Sequence, residues 1–156
     1  MALKSCGILL YRVNENTHEY EVFLVQANVP NSFPELWGVP KGRMERGEKP
    51  LQTAKREFGE ETGTTAPDLE YLPLPPFVTK RGKTIIVFTA NAEDYPVHWI
   101  RKNVAVTKVM RNGQVRHYKE TRDGRWFPLS KALEQIGAGQ KGILELLQNQ
   151  LVKANI

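Results

Sequence analysis

One acidic stretch constrains this chain more than any other part of its sequence. Between positions 42 and 64 it reads GRMERGEKPLQTAKREFGEETGT, a loop followed by a predicted helix. Four of its carboxylates belong to Glu48, Glu57, Glu60 and Glu61. Like charges at helical spacing destabilise a helix locally, and no packing requirement explains them. The stretch therefore indicates a site for one or more cations.

Several signals predict a helix over residues 50–62. Pro50 suits the first helical turn, where a missing N–H costs no hydrogen bond. Gly63 suits the position after the last turn, where the backbone commonly becomes left-handed. Apolar residues recur at helical spacing and form one face, which consists of Leu51, Ala54 and Phe58.

The acidic side chains lie off that apolar face. Glu57 and Glu61 are four residues apart and share one side of the predicted helix. Glu60 lies one turn from Glu57, so the three carboxylates can project together at one edge. Hard divalent cations take oxygen ligands, and Mg²⁺ commonly combines a few carboxylates with waters. The spacing favours a divalent-metal site on this helix.

Strand patterns fill most of the remaining chain. Strands are predicted over 3–13 and 20–27, with a polar hairpin turn between them. The dipeptide Asn112-Gly113 predicts a second hairpin, and residues 28–34 carry prolines and asparagines typical of a loop. Further strands are predicted at 36–39, 69–74, 77–79, 84–92, 104–110, 114–119 and 125–129.

Two helical patterns follow near the C-terminus. Ser130 is expected to cap a short helix over 131–136. Residues 140–153 are expected to form a longer helix with one apolar face. Strands around one helix, followed by a C-terminal helix, predict an α+β fold. At 156 residues the chain is expected to form a single domain, 1–156.

Composition narrows the expected setting of the protein. The apolar runs are strand-sized, so no membrane-spanning segment and no membrane partner are expected. The N-terminus lacks a secretory cleavage pattern and Cys6 is the single cysteine, which predicts a cytoplasmic protein without internal disulfides. Cys6 itself is expected to be a small buried apolar side chain.

The net charge of +5 is unevenly distributed. Lysines and arginines dominate positions 95–131, where the only acids are Glu120 and Asp123. An acidic cluster followed by a basic stretch suggests a metal and the phosphate that accompanies it. A solvated basic face without a ligand explains the charges equally well, and both interpretations stay open.

The acidic stretch resembles the Nudix box, GX5EX7REUXEEXGU. Gly42, Glu48 and the run REFGEETG at 56–63 occupy its specified positions. Thr64 stands where the family has an aliphatic residue, which affects packing at the helix end rather than the carboxylates. The resemblance implies the Nudix fold, a mixed β-sheet sandwiched between α-helices.

The resemblance also implies an enzyme that hydrolyses a pyrophosphate bond in a nucleoside diphosphate derivative, assisted by Mg²⁺ or Mn²⁺. It implies Glu57 and Glu61 as metal ligands, and Glu60 as a ligand or as the base that takes a proton from water. The backbone carbonyl of Lys41 and the carboxylate of Glu120 are further candidates for the metal site. For each glutamate of the helix, the alternative is a solvated helix face.

Other positions of the box are expected to be structural. Arg56 is expected to pair with Glu48 and so hold the loop on the helix. Gly42 and Gly63 are expected to serve backbone geometry. Glu45 lies inside the stretch but outside the pattern, so it is expected to be solvated.

Several residues outside the box are candidates for binding substrate. They are Lys41, Lys80, Arg81, Lys83 and Tyr118. The cations would contact phosphates, although a plain exposed basic turn is an equal alternative. Tyr118, Trp37 and Phe77 offer rings that can stack on a base, with core packing as the alternative. Trp126 is expected in the core.

A dinucleoside polyphosphate such as diadenosine tetraphosphate is the first substrate hypothesis, because the basic stretch suits a highly charged ligand. The sequence before the box, WGVPKG at 37–42, also resembles such hydrolases, but a tyrosine that many of them carry after the box is missing. The alternatives are pyrophosphate removal from an RNA 5′ end, cleavage of ADP-ribose, nucleotide sugars or (d)NTPs, and a Nudix module that binds nucleotides without cutting them. Monomer and dimer both remain open.

Overall fold

The computed structural model describes residues 4–27, 36–93, 106–109, 112–118 and 121–154. The predicted loop at 28–34 and the candidate ligand Glu120 lie outside these residues. The strands are β1 Lys4–Val13, β2 Tyr20–Ala27, β3 Trp37–Gly38, β4 Lys41–Arg43, β5 Leu72–Pro73, β6 Phe77–Val78, β7 Thr84–Asn91, β8 Val106–Val109, β9 Val115–Tyr118 and β10 Thr121–Pro128. The helices are α1 Pro50–Thr62, α2 Leu129–Gln135 and α3 Lys141–Ala154, with a 3₁₀ turn at Ala138–Gln140.

A mixed sheet forms the centre of the fold. Its strands follow the order β10-β2-β1-β7-β5, while β3 pairs with β2, β4 with β1 and β6 with β7. The long β1 and β7 run parallel, from Lys4 opposite Thr84 to Tyr11 opposite Asn91. The other described strand pairs are antiparallel, including the predicted hairpins β1–β2 and β8–β9. Gly113, at φ 82°, turns the second hairpin.

The two faces of this sheet bury separate apolar clusters. Strand β1 sends Ile8 to one face and Leu9 to the other, as strand alternation requires. On the first face Ile8 packs with Phe58 of α1, and on the second Leu9 packs with Leu147 of α3. Helices therefore cover both faces, and the α+β prediction with a Nudix-like sandwich is confirmed. Cys6 is fully buried, and burial raises its thiol pKa.

Helix α1 has the bounds that the sequence predicts. Pro50 opens it. Gly63 ends it at φ 71° and donates its N–H to the carbonyl of Gly59 at 2.9 Å. Gln52 accepts the backbone N–H of Lys49, which satisfies one donor at the start. These ends fix where the acidic side chains of α1 stand.

The predicted start of the second helix is wrong. Helix α2 begins at Leu129 with Pro128 before it, so Ser130 lies inside the first turn and does not cap the helix. Its hydroxyl instead donates to Glu19 Oε1 at 2.7 Å, a partner far away in sequence. Strand β10 is also longer than predicted, because it pairs with β2 along its length. Among the described residues, no helix combines the length and apolar character needed to cross a membrane.

Candidate active site

The side chain of Glu57 lies directly over Gly42. Glu57 stands on α1 and is almost fully buried, while Gly42 is in the middle of β4. A Cβ atom at position 42 would overlap the carboxyl group of Glu57. Glycine therefore leaves the space that the Glu57 carboxyl group occupies, and its backbone is not left-handed. This contact explains why a box glycine stands opposite a box glutamate.

Glu61 meets the same strand one residue earlier. Its Oε2 accepts the backbone N–H of Lys41 at 2.8 Å. One turn of α1 thus places two carboxylates on consecutive residues of β4, since Glu57 covers Gly42 and Glu61 binds Lys41. The structure brings together the two glutamates that the resemblance implies as metal ligands.

The Arg56 guanidinium donates hydrogen bonds to three neighbouring carboxylates. Its Nε donates to Glu48 Oε2 at 2.8 Å and its Nη2 donates to Glu48 Oε1 at 2.9 Å, which makes a bidentate salt bridge. Its Nη1 donates to Glu57 Oε1 at 2.8 Å and to Glu60 Oε1 at 3.2 Å. Its Nη2 also donates to the carbonyl of Arg43 at 3.0 Å, which ties the end of β4 to the helix. One guanidinium therefore offsets the repulsion that the acidic pattern creates.

Glu48 is held as a carboxylate by its surroundings. The hydrogen bonds from Arg56 are the main cause that lowers its pKa to about 2. The Glu45 N–H donates to Glu48 Oε1 at 2.8 Å, and the Thr53 hydroxyl donates to the same oxygen at 3.0 Å. In the same pair, Glu48 raises the pKa of Arg56. Glu48 thus closes the loop onto α1.

The other two acids of the stretch are more accessible to solvent. The side chain of Glu60 is 41% exposed and that of Glu45 is 68% exposed. Glu45 approaches Arg56 only at 3.8 Å, which agrees with a solvated role. Glu60 stands at the rim, where its carboxylate is open to water.

A cavity of about 180 Å³ opens beside Glu61. Lys41 and Glu61 line one side of it, and Gln140 and Gly137 line another. Gln140 Oε1 accepts the N–H of Val39 at 2.9 Å, and the Gly137 N–H donates to the carbonyl of Trp37 at 3.0 Å. Residues 137–140 are not among the site residues that the sequence predicts. No local signal links them to the acidic stretch, because only the sheet topology brings them near.

A larger cleft of about 530 Å³ includes the predicted basic turn. Lys80, Arg81 and Lys83 line it together with Phe77. Burial is the main cause that lowers the pKa of Lys83, and the charges of Lys41 and Arg43 add to it. The charges of Lys41 and Arg43, which lie beside the carboxylate pair, therefore act on Lys83 in this cleft.

The predicted stacking rings have different environments. Trp37 is 7% exposed and packs edge-on against Phe127, with centroids 4.9 Å apart, so the core interpretation holds. Trp126 packs against the core cluster near Phe23, and Arg12 lies 4.0 Å over its ring. Tyr118 lies at the end of β9, and its side chain is outside the described residues.

The donor set of this site fits a hard divalent ion. The two carboxylates come from one helix edge, and such ions are commonly bound by one or two carboxylates plus waters and substrate phosphate. Within the part of the chain that the structure describes, no three acidic, histidine or cysteine side chains form a ready-made metal cage. A metal would therefore depend on water and substrate oxygens for the rest of its shell.

Comparison with known proteins gives a consistent result. The model of the NUDIX domain family matches residues 4–147. A bis(5'-nucleosyl)-tetraphosphatase (asymmetrical) of Sus scrofa is 32% identical over 144 residues, which cover 86% of this chain and 84% of that protein.

Two solved structures share the fold. A C. elegans Ap4A hydrolase binary complex is 23% identical with a TM-score of 0.67, covering 97% of this chain and 99% of that one. The NUDIX domain of Shewanella oneidensis NrtR, complexed with ADP ribose, is 22% identical with a TM-score of 0.66, covering 97% and 89%.

Proposed function

This chain belongs to the Nudix family and is a pyrophosphohydrolase of that family, and we propose that its substrate is a dinucleoside polyphosphate such as diadenosine tetraphosphate. The carrying observation is that Glu57 and Glu61 of α1 contact β4 next to cations. Lys41 and Arg43 flank Gly42 in that strand, and their charges reach Lys83 across the sheet. Carboxylates for a metal thus border cations for the phosphate chain.

The proposed roles of the acids follow from their contacts. Glu57 and Glu61 are the metal ligands, with the Lys41 carbonyl and Glu120 as further candidates. Nudix hydrolases generally use a divalent metal, and bound Mg²⁺ or Mn²⁺ would neutralise phosphate charge and lower the pKa of bound water. Glu60, at the open rim, is the candidate base that takes a proton from the attacking water.

The network around these acids orients them before substrate binds. Arg56 holds Glu57 at 2.8 Å, and the Lys41 N–H holds Glu61 at the same distance. Preset carboxylates need no rearrangement when the reaction begins, and positioning of this kind provides much of the catalysis in phosphoryl transfer. Arg56 and Glu48 are proposed as positioning residues rather than catalytic ones.

The choice of substrate is supported by two observations. The Sus scrofa relative is named for a dinucleoside tetraphosphate. Strand register places Arg43 across β1 from Ile85, close to Lys83 at the start of β7, and a group of cations there suits a substrate with several phosphates. The neighbour with ADP ribose shares only the fold at its 22% identity, so ADP-ribose stays the second candidate.

A substrate panel tests this proposal. The protein with Mg²⁺ or Mn²⁺ would be offered diadenosine tetraphosphate, ADP-ribose, a nucleotide sugar, dNTPs and 5′-triphosphate RNA, with products identified by chromatography. We expect the highest kcat/KM for diadenosine tetraphosphate. A higher kcat/KM for triphosphate RNA, with little turnover of mononucleotides, would replace the proposal with the RNA function. Preference for ADP-ribose would replace it with the diphosphate function.

A further inference from the structure

The cleft of about 530 Å³ lies beside the proposed catalytic centre rather than within it. One wall is β6 with the turn that leads to β7, and the other wall is Ala138 and Gly139 of the 3₁₀ turn. None of the carboxylates described above lines it. The cavity beside Glu61 is bounded by the same 3₁₀ turn, through Gln140. The two openings therefore flank one short segment.

Three cations and no acid line this cleft. Lys80, Arg81 and Lys83 provide the charge. Within the described residues, no carboxylate lies within ion-pair distance of these three side chains. Three cations that converge on one cleft, with no carboxylate in its lining, create a local positive potential that suits an anionic ligand.

Strand register connects the cleft to the carboxylate pair. In β1, Ser5 pairs with Arg43 on one side and with Ile85 on the other. Two strand spacings therefore separate β4 from the start of β7, about 10 Å. Lys83 immediately precedes β7 and senses the charges of Lys41 and Arg43. Cations thus continue from the residues at Glu57 and Glu61 to the cleft.

The basic turn is held in a defined shape. The Thr79 N–H donates to the carbonyl of Lys83 at 2.8 Å, and the Gly82 N–H donates to the carbonyl of Thr79 at 2.9 Å. Gly82 has φ 82°, a left-handed conformation that glycine adopts without strain. Below the turn, Phe77 packs directly on Gly142 of α3, where a Cβ would overlap its ring. The cations therefore stand on a preorganised hairpin.

We propose that this cleft binds the far end of the substrate's phosphate chain, so that the protein favours chains of four phosphates over diphosphates. This inference rests on the proposed function and deepens it. Lys83, at the start of β7, contacts the phosphates of the cleft that lie nearer the carboxylate pair. Lys80 and Arg81 contact the phosphates most remote from the carboxylate pair, and the exposed part of the Phe77 ring borders the nucleoside attached there.

Binding of inorganic tripolyphosphate tests the cleft without any reaction. Calorimetric titration without metal would compare the protein with the double variant Lys80→Ala/Arg81→Ala. The control Lys131→Ala/Lys153→Ala removes the same charge from exposed positions on α2 and α3. We expect the first variant to weaken binding by roughly tenfold or more, as for loss of charge-assisted hydrogen bonds. Equal weakening by the control would attribute binding to net charge and overturn the inference.

Kinetics with two substrates provide the second test. In Lys80→Ala/Arg81→Ala, kcat/KM for diadenosine tetraphosphate should fall at least about tenfold more than kcat/KM for ADP-ribose. Equal falls for both substrates would overturn the inference and leave the proposed function standing. If the protein does not cleave diadenosine tetraphosphate, the proposed function fails. Weaker tripolyphosphate binding in Lys80→Ala/Arg81→Ala, but not in the control variant, would still support an anion site in the cleft.

Discussion

Replacing Gly42 by alanine adds one methyl group and tests whether activity depends on the position of the Glu57 carboxyl group. The added methyl group would occupy the space of the Glu57 carboxyl group. The obstacle is the end of a flexible side chain, so Glu57 can rotate away while β4 stays in place. Rotation would break the 2.8 Å bond between Arg56 and Glu57. The change therefore displaces a proposed metal ligand with little effect on the fold.

The expected losses of stability and of activity differ in size. Loss of one charge-assisted hydrogen bond costs about 1–2 kcal/mol of unfolding free energy, which lowers Tm by about 2–8 °C in a domain of this size. Misplacement of a reacting or metal-binding group by about 1 Å costs about a hundredfold in rate. Activity should thus fall far more than stability.

A matched control lies on the same helix. A Cβ at Gly59 meets only the carbonyl oxygen of Thr64 at 3.9 Å, an ordinary contact. Gly59→Ala should stabilise α1 by about 1 kcal/mol and leave turnover unchanged. The assays are thermal unfolding and Mg²⁺-dependent turnover of the best substrate. Turnover in Gly42→Ala within about twofold of the parent protein would refute the assignment of Glu57.

Two further changes test the surrounding packing. Glu48→Gln should lower the free energy of unfolding by about 1–3 kcal/mol at pH 7, because it removes the ion pair with Arg56. The folded pKa of Glu48 is about 2, against an ordinary value of 4.5. The loss of unfolding free energy should therefore be complete above pH 4.5 and shrink towards pH 2. A loss measured by urea unfolding that stays constant with pH would contradict this prediction. Gly142→Ala should lower Tm by about 2–8 °C, because overlap with the Phe77 ring outweighs the gain in helix propensity. Gly139→Ala, which meets no atom within 4 Å, should not lower Tm, and an equal Tm in both variants would contradict the argument.

Local patterns predicted the parts of the site that depend on one helix. The bounds of α1 follow from Pro50 and Gly63, whose effects act within a turn. The shared side of Glu57 and Glu61 follows from helical spacing alone. The resemblance supplied the pairing of Arg56 with its glutamate, and the structure places the two in direct contact.

Long-range contacts could not be predicted in the same way. Ser130 has the chemistry of a helix cap, but α2 already begins at Leu129, and the fold brings Glu19 Oε1 within 2.7 Å, where it accepts the Ser130 hydroxyl. Gln140 binds Val39 across 101 positions of sequence, and no spacing rule relates them. The overlap between a Cβ at position 42 and the Glu57 carboxyl group depends on how α1 packs on β4, which only the folded chain defines.

Binding of Mn²⁺ tests the proposed carboxylate site most directly. Glu61→Gln keeps an oxygen that can accept the Lys41 N–H, so the fold should survive while the ligand charge is lost. Titration by electron paramagnetic resonance would compare this variant with Glu45→Gln, whose parent side chain is exposed. The proposed site predicts Mn²⁺ affinity at least about tenfold weaker in Glu61→Gln and unchanged in Glu45→Gln. Equal Mn²⁺ affinity in the parent protein and Glu61→Gln would contradict it.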